Sequence, residues 1–196
     1  MEERETPLYQ MLQKVDVDKE PSKQLDILKA FDNLPQKQFD ELTSGWYIKH
    51  EEAAIVMQYL PVERFYDRIG LLLEHLEDRN WPAAGRIADL LVSIGEPALS
   101  EIRKRFEKGP AYVDWLYPII SWVIRYWSNE LILKLKEELI EVISYADAEG
   151  ASIAALEVLQ KVMMPGEFEL LYQRLREQYA GNTGLTEDLN YAFGAK

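Results

Sequence analysis

The groups available for chemistry are two histidines, His50 and His75, and 34 carboxylates; there is no cysteine. A carboxylate-bridged di-iron site needs Glu-x-x-His on each of two helices. Tyr47 and Leu72 stand three residues before the two histidines, which excludes that site. The His-Glu-x-x-His pattern of zinc proteases is absent as well. Without cysteine, disulfides, thiolate metal sites and cysteine nucleophiles fall together, a composition that suits a reducing cytosol. Asp16-Val17-Asp18-Lys19-Glu20 opens like a calcium loop, but Pro21 and Ile27 hold the places that need Gly and Glu, so the segment reads as a solvated linker. No Gly-rich phosphate loop, Gly-x-Ser-x-Gly elbow or kinase signature occurs. Pairs such as Glu137 with Glu138, or Glu74 with Asp78, have a spacing that suits acid–base work. In so acidic a chain they arise by chance on solvated faces, and shifted pKa values need burial. His75 is expected at a helix end, against a turn or Glu74, with no nucleophile or second histidine to make it catalytic. No catalytic residue, metal site or cofactor is expected.

The five tryptophans offer recognition rather than reaction. Trp81 and Trp115 are expected near turns, whereas Trp122 and Trp127 fall within a helical stretch. Tryptophan serves both cores and interfaces, so core packing stays open for each. If one patch meets a partner, it is Trp81 and Trp115 beside Asp78, Asn80 and Asp114, where successive turns would stack.

Charge narrows the partner. The formal net charge is -12, with 10 basic and 17 acidic residues up to Arg79 and 12 and 17 beyond it. The acidity is spread along the chain. Arg103, Lys104, Arg105 and Lys108 form the only basic cluster, diluted by Glu101 and Glu107. Nucleic acid is not an expected partner, because phosphate binding needs clustered cations. A basic protein is the better candidate, since opposite fields speed encounter. Met1-Glu2-Glu3-Arg4-Glu5 leads into no apolar stretch, and the longest apolar runs, such as Ile69 to Leu73, are too short to span a bilayer. No membrane is expected, and the location is expected to be cytoplasmic.

Helices must position these residues. Apolar positions recur at spacings of three and four in Phe65, Ile69, Leu72, Leu73 and Leu76; in Ile87, Leu90, Leu91 and Ile94; and in Leu99, Ile102 and Phe106. Ile132, Leu135, Leu139 and Val142 continue the pattern, followed by Ile153, Leu156, Leu159 and Met163, then Phe168, Leu171, Leu175 and Tyr179. Pro21, Pro35 and Pro97 open helices, Pro61 and Gly109-Pro110 close them, and Gly95 is a natural stop. Asp78-Arg79-Asn80 supplies a polar turn, with Asn80 a candidate cap for a helix opening at Trp81-Pro82. Pro118 should kink or restart its helix, and Gly181-Asn182-Thr183-Gly184 reads as a flexible connection. No stretch alternates with period two. The pattern predicts an all-α fold of about ten helices of roughly 10 to 16 residues, arranged as stacked antiparallel pairs.

The stretch Asp78 to Leu99, DRNWPAAGRIADLLVSIGEPAL, resembles the core of a HEAT repeat, with Ala83, Ala84, Gly85 and Ala88 allowing close helix approach. More narrowly, Leu71 to Pro82, LLLEHLEDRNWP, resembles an uncharacterised bacterial HEAT-like family, domain of unknown function five-zero-seven-one. Asp114-Trp115 fits a later element of that family, and Leu34-Pro35 with Phe39-Asp40 fits its usual start. Leu116-Tyr117-Pro118 departs from the family pattern. The resemblance implies a HEAT-like α-solenoid over about Leu34 to Met164 and carries no activity with it. The expected organisation is a helical extension over 1–33, a HEAT-like repeat domain over 34–180, and a flexible tail or short helix over 181–196. A non-enzymatic protein-interaction module is the leading expectation, with an immunity- or antitoxin-like protein as a special case. A carboxylate-based or metal-assisted enzyme in a helical groove, and a structural subunit of an assembly, stay open beside it.

Overall fold

The computed structural model describes residues 6–145 and 147–194. The acidic residues 1–5, read above as leading into no apolar stretch, lie outside it. The described chain is helical, with no strand, and divides into two compact units, one ending at Ile94 and the other starting at Gly95. No described helix is long and apolar enough to cross a membrane.

The first unit carries α1 (Pro7–Leu12), α2 (Leu25–Leu28), α3 (Gln36–Leu42), α4 (Glu51–Tyr59), α5 (Ile69–Glu77) and α6 (Ala84–Ile94). The second carries α7 (Leu99–Phe106), α8 (Val113–Trp122), α9 (Asn129–Leu133), α10 (Lys136–Ile143), α11 (Ala151–Leu159), α12 (Pro165–Tyr179) and α13 (Thr183–Phe193). The helices are shorter and more numerous than the periodicity predicts. Tight 3-10 turns at Pro21–Lys23, Val62–Phe65, Glu96–Ala98 and Pro110–Tyr112 intervene, each with a proline inside it or just before it. A proline there supplies a preset φ and forgoes an N–H that the first turn leaves unpaired anyway.

Each unit is built around one helix that is apolar on nearly all sides. Ala53 to Met57 are all buried in α4, which packs on α6, and α6 packs in turn on α5. In α11 every residue except Glu157 is buried, because α8, α10, α12 and α13 all pack against it. A helix apolar all round has to be central. Gly95 ends α6 at φ +64°, a conformation that only glycine adopts without strain. Ala83, Ala84 and Ala88 are buried as the small-residue pattern predicts. Gly85 is different: it is exposed, and a methyl group there would meet nothing, so it mediates no close approach. α8 runs through Pro118 without a break, and the ring is buried.

Asn80 is not a cap. Its backbone and side-chain N–H groups both donate to Asp78 Oδ1, at 3.3 and 3.1 Å, and α6 begins only at Ala84. The stretch from Gly181 to Gly184 is a capped turn rather than a loose connection. Asn182 Oδ1 accepts from the Leu185 N–H at 3.2 Å, and Thr186 Oγ1 donates to the Tyr179 carbonyl at 2.8 Å. The linker after Asp16 is organised by the buried side chain of Gln24, which accepts from the Asp16 N–H and donates to the carbonyls of Asp16 and Lys19.

Long-range ion pairs span 28 to 38 residues, from Arg68 with Asp40 at 28 to Lys134 with Glu96 at 38. In the first unit Arg86 Nε donates to Glu51 Oε1 at 2.9 Å, 35 residues away. In the second, Arg103 pairs with Glu138 at 2.8 Å across 35 residues, Arg125 with Glu157 at 3.1 Å across 32, and Lys136 with Glu167 at 3.2 Å across 31.

Candidate functional site

The structure gathers Asp78, Asn80 and Trp81 into the turn after α5. Asp78 closes that helix and holds Asn80, as described above. Trp81 is half-buried, and Lys49 Nζ lies 3.9 Å from the centre of one of its rings. Its other neighbour is His75, in the last turn of α5, with ring centroids 6.3 Å apart and planes 25° from parallel. His75 is buried, and its Nε2 has no hydrogen-bond partner. Burial pushes its pKa below the ordinary histidine value, Lys49 adds to that push, and Asp78 opposes it. His75 also lines a cleft of about 250 Å³ with Thr43, Ser44, Ile48, Leu71 and Glu74. The expectation of a helix-end histidine against a turn holds, and its chemistry is set first by burial, with Lys49 from another element adding to it.

Asp114 and Trp115 stand together in the first turn of α8, in the second unit. Asp114 Oδ1 accepts from the Ala148 N–H at 2.8 Å and the Glu149 N–H at 3.3 Å, so its carboxylate is occupied in holding the loop before α11. Trp115 is half exposed, at 50%, with no aromatic or cationic partner among the described residues. Trp127 is buried and Trp122 partly so.

The sequence reading missed a second carboxylate that holds the same loop, this one from within it. Asp147 Oδ1 accepts from the Gly150 N–H at 3.1 Å and the Tyr179 hydroxyl at 3.0 Å, while Oδ2 accepts from the Ser152 N–H at 2.6 Å. Burial and the Asp147 charge raise the pKa of Tyr179 far above the ordinary phenol value, so it stays a donor. Gln178 Nε2 adds a bond to the Tyr145 carbonyl at 2.6 Å. The only local clue is the Asp-x-x-Gly-x-Ser spacing, an acid ahead of a glycine and a helix start; Tyr179 arrives from 32 residues away.

These arrangements order turns and present one exposed aromatic. Among the described residues, no three His, Asp or Glu side chains are grouped to hold a metal ion. No curated protein and no solved structure matches the chain. The family model described as Domain of unknown function (DUF5071) matches residues 49–161, more than half of the sequence, and the chain belongs to that family.

Proposed function

We propose that the protein is a non-enzymatic protein-interaction module, a cytoplasmic HEAT-like α-solenoid of stacked antiparallel helix pairs whose acidic surface receives a basic protein. Trp115 is the observation that carries the reading. A half-exposed tryptophan in the first turn of a helix, beside an acid and with no aromatic or cationic partner among the described residues, is the residue type that dominates binding energy at interfaces. The net charge of -12 favours a basic partner. The long-range ion pairs, which span 28 to 38 residues, support the stacked-pair architecture, since two helices with their turns occupy about 33 to 47 residues in helical repeats. Such arrays form extended binding faces. Asp78, Asn80 and Trp81 in the first unit, and Asp114 and Trp115 in the second, are the residues proposed to meet a partner, although Trp81 is engaged by Lys49 and Asp114 by the loop. An immunity- or antitoxin-like protein, blocking a basic effector, is the special case that fits this reading best.

The test is affinity capture from native lysate at low and moderate salt with the wild-type chain and Trp115→Ala. A basic protein retained by the wild type, weakened by salt and lost with the variant is the expected result. Identical retention by both forms, or nothing retained at either salt, overturns the reading.

A further inference from the structure

Tyr9 and Leu12 on α1 with Gln13 just after it, Trp46 and Tyr47 between α3 and α4, and His50 and Glu52 at the start of α4 line a cleft of about 110 Å³. Three of its walls are aromatic. The Trp46 ring lies 6.0 Å from that of Tyr9, tilted by 47°, and 5.5 Å from that of Tyr47, nearly edge-on at 74°. The His50 ring closes on Trp46 at 3.7 Å. Tyr47 is buried and its hydroxyl is bound to Thr6, so that ring is fixed in place. Glu52 is half-buried and has no cationic partner among the described residues, whereas its neighbour Glu51 is committed to Arg86.

We propose that this cleft binds an alkylated ammonium group. Aromatic faces carry negative potential and attract a cation, most of all one whose methyl groups can lie against the rings. Glu52 adds a full negative charge at the rim. A bare ammonium asks for three hydrogen-bond acceptors, whereas four of the seven lining residues bring rings beside the carboxylate of Glu52 and the amide of Gln13, so the lining favours a cation that carries methyl groups. Size agrees with a head group alone. The cleft holds several times a water's ~30 Å³ and falls well below the ~300 Å³ at which pockets for drug-sized ligands begin. The site lies wholly in the first unit and shares no residue with the proposed partner surface.

The test is an NMR titration of the full chain with choline, read at the Trp46 indole N–H, which is assigned by its loss in Trp46→Phe. The control is the uncharged analogue of choline with carbon in place of nitrogen. A saturable Trp46 shift is expected with choline, at least about tenfold weaker with the carbon analogue, and Glu52→Gln is expected to weaken choline binding about tenfold without changing the thermal midpoint. No saturable shift at tens of millimolar choline overturns the proposal. So does an equal response to the carbon analogue, which needs no variant to fold, or an unchanged affinity in Glu52→Gln.

Discussion

Replacing His75 by leucine should make the protein less sensitive to acid without weakening it at neutral pH. The wild-type ring is buried with an unpartnered Nε2 beside Trp81 and Lys49. An unsatisfied buried polar atom costs about 1–3 kcal/mol, and the contact with Trp81 returns roughly 0.5–1.5. His75→Leu is therefore expected to change stability at pH 7.5 by between about zero and +2 kcal/mol. The pH dependence is sharper. Burial and Lys49 lower the folded-state pKa beneath the ordinary 6.5, so below that value the unfolded chain binds more protons at His75 than the folded chain does. The neutral ring's contribution is complete above about pH 6.5 and is lost as the pH falls toward the folded-state value, at up to ~1.4 kcal/mol per pH unit. Urea unfolding of both forms at several pH values from 7.5 to about 5 isolates this term, because the carboxylates are common to both and cancel. The gap between His75→Leu and wild type should widen in favour of the variant below pH 6.5. A constant gap, or a variant weaker by more than about 0.5 kcal/mol at pH 7.5, would refute the reasoning and give the ring a partner that the geometry does not show.

The loop clamp predicts that Asp147→Ala loses roughly 2–4 kcal/mol in urea unfolding, since two backbone N–H groups and the Tyr179 hydroxyl lose one acceptor together. Tyr179→Phe should lose only about 1 kcal/mol, and the double variant should cost less than the sum of the two. Leu72→Ala, at a fully buried position of α5, should lose about 2–5 kcal/mol. Gly95→Ala should lose ~1–2 kcal/mol by the same assay, because φ there is +64°. A double-mutant cycle on Glu51 and Arg86, both about a third exposed, should return a coupling of no more than ~1 kcal/mol that shrinks with salt.

Periodicity located the core because burial and spacing express the same geometry within a helix. Phe65, Ile69, Leu72, Leu73 and Leu76 are all buried, and so are Ile87, Leu90, Leu91 and Ile94. It misjudged helix length because a 3-10 turn also brings every third residue to one side, so Phe65 reads as part of α5 although it ends the turn at Val62–Phe65. It also overstated α12, where Leu175 and Tyr179 are buried but Phe168 and Leu171 are only partly covered. Alignment on a stripe says which side faces inward, not how far the neighbouring helices reach. The family signature was legible in Asn80-Trp81-Pro82, while Leu34-Pro35 and Phe39-Asp40, read as the family's start, lie before the matched residues. Partners distant in sequence were invisible. Lys49 reaches Trp81 and Tyr179 reaches Asp147 through tertiary packing, which no local pattern encodes.

The aspartates bear directly on how any binding surface should be tested. Asp78, Asp114 and Asp147 all stand in or against turns between helices, and each accepts from at least one backbone N–H. An N–H left over where a helix begins or a turn tightens needs an acceptor, and a short carboxylate supplies a charged one without long side-chain entropy. Part of the acid excess is therefore architectural and is not a free field awaiting a cation. A charge reversal at Asp114 would release the loop before α11, and a lost partner would then report unfolding as readily as contact. Trp115 does not share that defect: its side chain makes no hydrogen bond among the described residues, and it stands one residue from Asp114. Binding lost with Trp115→Ala at unchanged stability marks a surface, whereas binding lost only with the aspartates marks the fold that presents it.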